Sequence, residues 1–240
     1  MLCLFVGNAQ ATSIIVVRTP TVIVLGADSK RIFGSTGKSA SACKIGISKN
    51  VVWAAAGMVE TSGGSFSAHR MAADSIAAPG DLGTRVADFE RTVMVKLRDR
   101  LNGSTGKRRE WILRRVENQP ALEVVFAAFE EDVPHIYVTE FYAEPDGITG
   151  AFAIRVKRSE SPSTTFPNST IFALGRHKVA EATIHSTPTM WATLGLAGAV
   201  RHLIELEIAA GPEEVGPPIA IVKITKKGPH WISQGQCPAG

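Results

Sequence analysis

Asp28 and Lys44 are charged residues set at the edges of runs that are otherwise apolar. Taking such a group out of water costs several kcal/mol per ion unless it is paired, so if both are buried they face each other or another charge. One outcome is a structural salt bridge. The other is a pair that serves a nucleophile, and the candidate nucleophile is Thr12. It follows Ala9-Gln10-Ala11, which has the small-x-small form of a signal-peptidase site. The leader MLCLFVGNAQA has a short apolar run, although it lacks a basic n-region and is shorter than usual signal peptides. Removal of residues 1–11, as the end of a signal peptide or as a propeptide, would leave Thr12 as the N-terminus. An ordinary strand or frayed start is the plain alternative. Asp28 lies sixteen residues after Thr12 and Lys44 thirty-two after it.

With those spacings the segments Thr12-Ser13-Ile14-Ile15, Ala27-Asp28-Ser29-Lys30-Arg31 and Lys44-Ile45 resemble the start of a mature proteasome β-type subunit or a bacterial relative. These proteins belong to the N-terminal nucleophile (Ntn) hydrolase family. Ala54-Ala55-Ala56-Gly57 is similar to the family's small-residue strand end, whose glycine lines the site and supplies an oxyanion N–H. The resemblance implies that Thr12, Asp28 and Lys44 are catalytic, with Gly57 lining the site and Ser13, Glu213 and Glu214 as auxiliary residues. The implied chemistry is coherent. A threonine hydroxyl needs a base to take its proton, and the α-amine of the same residue serves, with a reference pKa of about 7.7–8.0. A lysine cation disfavours protonation of that amine and favours developing negative charge, while the aspartate orients and neutralises the lysine. The chain departs from the family pattern in three places. Gly175-Arg176-His177 stands where a Gly-Ser-Gly turn is expected, Glu213-Glu214-Val215-Gly216 where an Arg-Asp-x-x-Ser-Gly signature is expected, and Ala11 where self-cleaving propeptides carry Gly.

Little else in the chain points to chemistry. The formal charge of +4 is modest for 240 residues and comes partly from clusters such as Lys107-Arg108-Arg109, with no nucleic-acid recognition motif beside them. The loop Gly34-Ser35-Thr36-Gly37-Lys38-Ser39 lacks the four-residue gap of a phosphate-binding loop. No apolar run reaches the length of a membrane span, so neither nucleic acid nor a membrane is an expected partner. The three cysteines have neither a disulfide framework nor metal-site spacing, so no metal is expected. No cofactor is expected either, because nucleophile and base belong to one residue. A nucleophilic Cys43 beside Lys44 is disfavoured, since neighbouring side chains in a strand point to opposite faces.

The elements that must position the candidate residues follow from pattern. Ser13–Val17 and Thr21–Leu25 read as paired β-branched strands around Arg18-Thr19-Pro20, and Cys43–Ile47 and Val51–Ala56 as a hairpin turning at Ser48-Lys49-Asn50. Residues 33–42 read as a Gly/Ser-rich loop. Helices are expected over 67–78 and 86–101, the second with Val86, Phe89, Val93, Val95 and Leu97 inward and Asp81 or Thr84 as cap. A solvated connection over 102–109 leads to a meander of Leu122–Phe129, His135–Phe141 and Ala151–Val156. After a strand at Thr170–Leu174, Thr187-Pro188 reads as the start of a helix to Ala210 with Leu194, Ala197, Val200, Ile204 and Ile208 buried. Strands Ile219–Thr225 and His230–Ser233 close the chain.

Two strand blocks interrupted by helices are an α/β (α+β) pattern in which sheets are covered by helices. The resemblance implies a four-layer α/β/β/α sandwich of the Ntn-hydrolase type: a leader at 1–11, one domain over 12–233 and a flexible tail at 234–240. It implies a threonine peptidase acting on a peptide or protein substrate through an acyl-enzyme, in a homo-oligomeric ring. The alternatives are a catalytically silent subunit of a proteasome-like assembly and a non-proteolytic amide hydrolase. The location implied is cytoplasmic by resemblance, or exported if residues 1–11 end a signal peptide.

Overall fold

The computed structural model describes residues 12–33, 38–61, 64–163 and 167–238. The leader and the Gly/Ser stretch 34–37 lie outside the described residues. In the first sheet, β1 (Ser13–Arg18), β2 (Ile23–Ala27), β10 (Thr170–Gly175), β11 (Ala220–Thr225) and β12 (Gly228–Ser233) are arranged in the order β10-β1-β2-β11-β12. The second sheet has the order β5-β6-β7-β8-β9, from β5 (Ile45–Ser48), β6 (Val51–Gly57), β7 (Leu122–Glu130), β8 (Val133–Pro145) and β9 (Phe152–Ser161). Every neighbouring pair is antiparallel. The helices are α1 (Ala68–Ala77), α2 (Leu82–Asn102), α3 (Gly106–Val116), α4 (Lys178–Ser186) and α5 (Met190–Ala210).

Alternation along the strands explains why two sheets need helices on their outer sides. In β1, Ile14 and Val16 pack toward the second sheet with Ala54, Ala56 and Val125, whereas Ile15 and Val17 pack on Val200, Leu203 and Ile204 of α5. In β7, Val125 and Ala127 face the first sheet, whereas Val124 and Phe126 pack under α1 and α2. Phe89 of α2 meets Phe126 and Phe141 edge-on at 5.0 and 6.0 Å. Each central strand is thus apolar on both faces, which is why β1 and β2 read as continuous Ile/Val runs. Gly26 lets α5 lie close to β2, since a Cβ there would come within 2.5 Å of Val200 Cγ1.

The expected meander forms as β7-β8-β9, and the strand pairs on either side of Asp28 and Lys44 form within a few residues of the expected bounds. Other elements differ from the sequence reading. The 86–101 helix begins at Leu82, because Asp81 caps it by accepting from the Thr84 N–H at 2.7 Å. Val95 lies on its outer side, 46% exposed. The connection at 102–109 gives way to α3, whose polar sequence GKRREWILRRV hid a narrow buried face of Ile112, Arg115 and Val116. The loop expected over 33–42 carries β4 (Lys38–Ser41), which pairs antiparallel with β3 (Lys30–Phe33) just before it. The Thr187 helix starts at Met190 and is kinked at Gly195, whose φ of 64° breaks the helical path and leaves Leu194 45% exposed. Helix α4 was hidden by its Thr, His and β-branched content.

The cysteine reading also changes. Cys43 and Cys237 form a disulfide across 194 residues of sequence, so Cys43 is no free nucleophile. Cys237 is buried among the inter-sheet residues, which ties this part of the 234–240 segment to the strand that follows Cys43. Spacing did not reveal the bond because two partners so distant in sequence leave no local pattern. Replacing both cysteines by serine is expected to cost about 2–4 kcal/mol of stability. Thermal melting of the oxidised wild type against the double variant checks this.

Candidate active site

Asp28 follows the last residue of β2 and is 1% exposed, so its charge must be met by protein groups. Four donors meet it. Its Oδ1 accepts the Lys44 ammonium at 2.8 Å and the Ser13 N–H at 2.9 Å. Its Oδ2 accepts the N–H groups of Lys30 and Gly216, both at 3.0 Å. Lys44 is itself buried, 7% exposed, immediately before β5. Burial lowers the Lys44 pKa; the Asp28 charge and hydrogen bond work against that shift, and Arg31 adds to it. The sequence expectation that these two residues see each other if buried therefore holds in geometry.

Thr12 is bound to this pair through its neighbour, since the Ser13 N–H is one of the groups on Asp28. It is 5% exposed and continues the β1–β10 ladder, its carbonyl accepting the Arg176 N–H at 2.7 Å. Alternation places its side chain on the same side as Ile14 and Val16, toward the second sheet. Gly175 crosses it closely with φ +71°. A Cβ there would lie 2.1 Å from the Thr12 carbonyl oxygen and 3.1 Å from the Ala56 Cβ. Only glycine fits that crossing. Ala56 is followed by Gly57, which has φ +93° and would bring a Cβ to 2.5 Å from the Ala121 carbonyl oxygen. Gly57 thus ends β6 on the side of the gap where Thr12 lies. The Ser13 hydroxyl is buried and has no hydrogen-bond partner among the described residues.

The two glutamates singled out after α5 separate. Glu213 is exposed. Glu214 is buried and accepts from Arg176 Nη1 at 2.6 Å. The same guanidinium lies 3.3 Å from the fully buried Glu207 and donates to the Ala210 carbonyl at 3.1 Å. Its flat face lies against Gly211, where a Cβ would meet Cζ at 2.5 Å. The segment after α5 therefore holds both sides of the site: Glu214 grips the residue whose N–H binds Thr12, and two residues on Gly216 binds Asp28. No serine lies between Gly211 and Pro218, and the contacts of this segment are made by the Arg176 guanidinium and the Gly216 N–H.

Sequence reasoning missed Arg176 as an anchor, along with Glu207 and Glu123. Glu207 accepts the Val179 and Ala180 N–H groups at 2.7 and 2.8 Å, capping α4 from α5. Glu123 is 5% exposed on β7 and accepts the Gly175 N–H at 2.8 Å. The available signal was a lone acid inside each apolar pattern, in Leu122–Phe126 and on the stripe through Leu203 and Ile204. His69 of α1 senses the charges of Glu60, Arg31 and Lys44. Burial draws its pKa down to about 4, so its imidazole is neutral near pH 7. Among the described residues no cluster of His, Cys, Asp and Glu has the arrangement of a metal site, and no helix is long and apolar enough to cross a membrane.

No protein-family model matches the chain, and no curated protein does. Solved structures resemble it in fold. BPH of Thiobacillus denitrificans, in complex with epoxomicin, superposes with a TM-score of 0.52 at 16% identity, over 89% of this chain and 98% of that one. An Anbu (Gly-1) mutant from Hyphomicrobium sp. strain MC1 superposes with a TM-score of 0.50 at 15% identity, over 92% and 88%. At such identities the likeness is one of fold alone: two multi-stranded sheets flanked by helices.

Proposed function

We propose that the chain is a threonine peptidase of the Ntn-hydrolase type, built on a four-layer α/β/β/α sandwich, with Thr12 as nucleophile once residues 1–11 are removed. The observation that carries this reading is the buried Lys44–Asp28 pair at 2.8 Å, whose carboxylate also holds the N–H of the residue after Thr12. A buried pair is weak evidence for stability alone, because apolar residues of similar volume often serve as well. One placed against the first residue of a processed chain has a chemical use.

In the proposed reaction the Thr12 Oγ attacks the carbonyl carbon of a bound peptide while its proton passes to the Thr12 α-amine. The C–O bond forms as the carbonyl oxygen becomes an oxyanion, which N–H donors around Gly57 stabilise. The tetrahedral adduct then collapses, the C–N bond breaks, and the leaving amine takes the proton from the ammonium. Water attacks the resulting ester by the same route in reverse, restoring Thr12. Lys44 as a cation keeps the α-amine in its basic form, and Asp28 holds Lys44 in place.

The fold likeness to BPH, which holds epoxomicin, supports testing that compound on this chain. It also supports a homo-oligomeric ring, which native mass spectrometry would report as a single closed stoichiometry and which a monomer would rule out. The Cys43–Cys237 bond favours an oxidising compartment over the cytoplasm. Intact-mass measurement of the protein purified from its source tests the reading. A chain beginning at Thr12 is expected, and a chain retaining Met1 would contradict it in favour of a silent subunit.

A further inference from the structure

Glu123 has no part in the chemistry above, yet it is a buried acid between the sheets, bonded to the residue that crosses Thr12. It sits opposite Ala56 in the β6–β7 register, and both side chains point toward the first sheet. From there its carboxylate crosses to the other sheet and accepts the Gly175 N–H at 2.8 Å. Gly175 is the register partner of Ser13 and closely crosses the Thr12 carbonyl. Thr12 and Glu123 thus reach into one gap from facing sheets at the same level.

We propose that Glu123 is a positioning residue of the Thr12 site, fixing Gly175 against the Thr12 carbonyl and supplying a negative charge against which the Thr12 α-amine titrates. The proposal rests on Thr12 being the mature N-terminus. Burial pushes the Glu123 carboxyl above its usual range. The Gly175 N–H, His177 at the start of α4 and Arg115 of α3 favour its ionised form, while Glu140 of β8 opposes it. Tyr142, also on β8, faces the same charge. An anion near the α-amine stabilises the ammonium and raises its pKa, the reverse of what Lys44 does. Glu123 and Lys44 would therefore bracket the amine and set the pH at which it becomes a base.

The test is the pH dependence of α-amine acylation on the chain beginning at Thr12, read by mass spectrometry, which does not require turnover. Glu123→Gln retains an oxygen to accept from Gly175 and removes the charge. Its amine midpoint is expected to fall by roughly one pH unit, whereas Glu123→Asp should stay near wild type. An unshifted midpoint in folded Glu123→Gln would overturn the proposal, as would an equal fall in both variants. Should the glutamine variant not fold, the Gly175 amide resonance of the wild type decides. It is expected to respond both as Glu123 titrates, above the usual carboxylate range, and as the Thr12 amine titrates. Silence at the second step would refute the coupling. Failure of the catalytic reading shows separately, as absence of a covalent adduct with a normal amine titration.

Discussion

Asp28→Ala is expected to unfold the protein or leave it barely stable at room temperature. The substitution strands a buried ammonium and three N–H groups, those of Ser13, Lys30 and Gly216, which all converge on this one carboxylate. Breaking a buried ion pair from one side costs about 3–5 kcal/mol, and each orphaned buried donor adds about 1–3 kcal/mol where water cannot reach it. The sum rivals the roughly 5–15 kcal/mol that holds a typical domain together. Denaturant melting checks this: a midpoint within experimental error of wild type would mean that Asp28 is not the hub of this network.

Lys44→Met should behave differently, with a smaller loss of stability than Asp28→Ala and a large loss of rate. Asp28 keeps its three backbone donors when the ammonium is gone, so the remaining charge is still met by hydrogen bonds. The methionine fills much of the same volume, so no large cavity opens. On the proposed mechanism what disappears is the cation that serves Thr12, both its field on the Thr12 amine and its attraction for developing negative charge. Removal of one such preorganised electrostatic group costs about 100-fold or more in rate. The rate of covalent adduct formation with epoxomicin, measured on folded Lys44→Met, is expected to fall by at least about that factor. An unchanged rate would confine Lys44 to a structural role. Together the two variants separate stability from chemistry in a pair that the structure alone presents as one contact.

The parts of this account that were legible in the sequence share a physical cause. Ile14 to Val17 and Ile23 to Leu25 are β-branched or bulky and buried on both faces, which leaves strand as the local and the tertiary preference alike. The pairing of β1 with β2, and the start of β5, then bring the Ser13 N–H and the Lys44 ammonium to the Asp28 carboxylate. Helix α3 was not legible because one face of three residues holds it, one of them Arg115, and its remaining positions are polar. Arg176, Glu207 and Glu123 were hidden for a related reason. Each is a charge inside the fold whose partner lies on another element, such as Glu207 with Arg176 across 31 residues of chain, and no local period records such a pairing. The Cys43–Cys237 bond is the extreme case. Among the auxiliary residues, burial separated Glu214 from Glu213, although the two are equivalent in composition and adjacent in sequence.

The central claim is that Thr12 carries the reaction, and covalent capture tests it most directly. The mature protein is incubated with epoxomicin, digested and mapped by tandem mass spectrometry, with Thr12→Ala alongside. The account predicts one adduct per chain on the N-terminal Thr12 peptide and none in the Thr12→Ala protein. An adduct that persists in Thr12→Ala, or a mature wild-type chain that begins at Thr12 and takes up no epoxomicin, would contradict it.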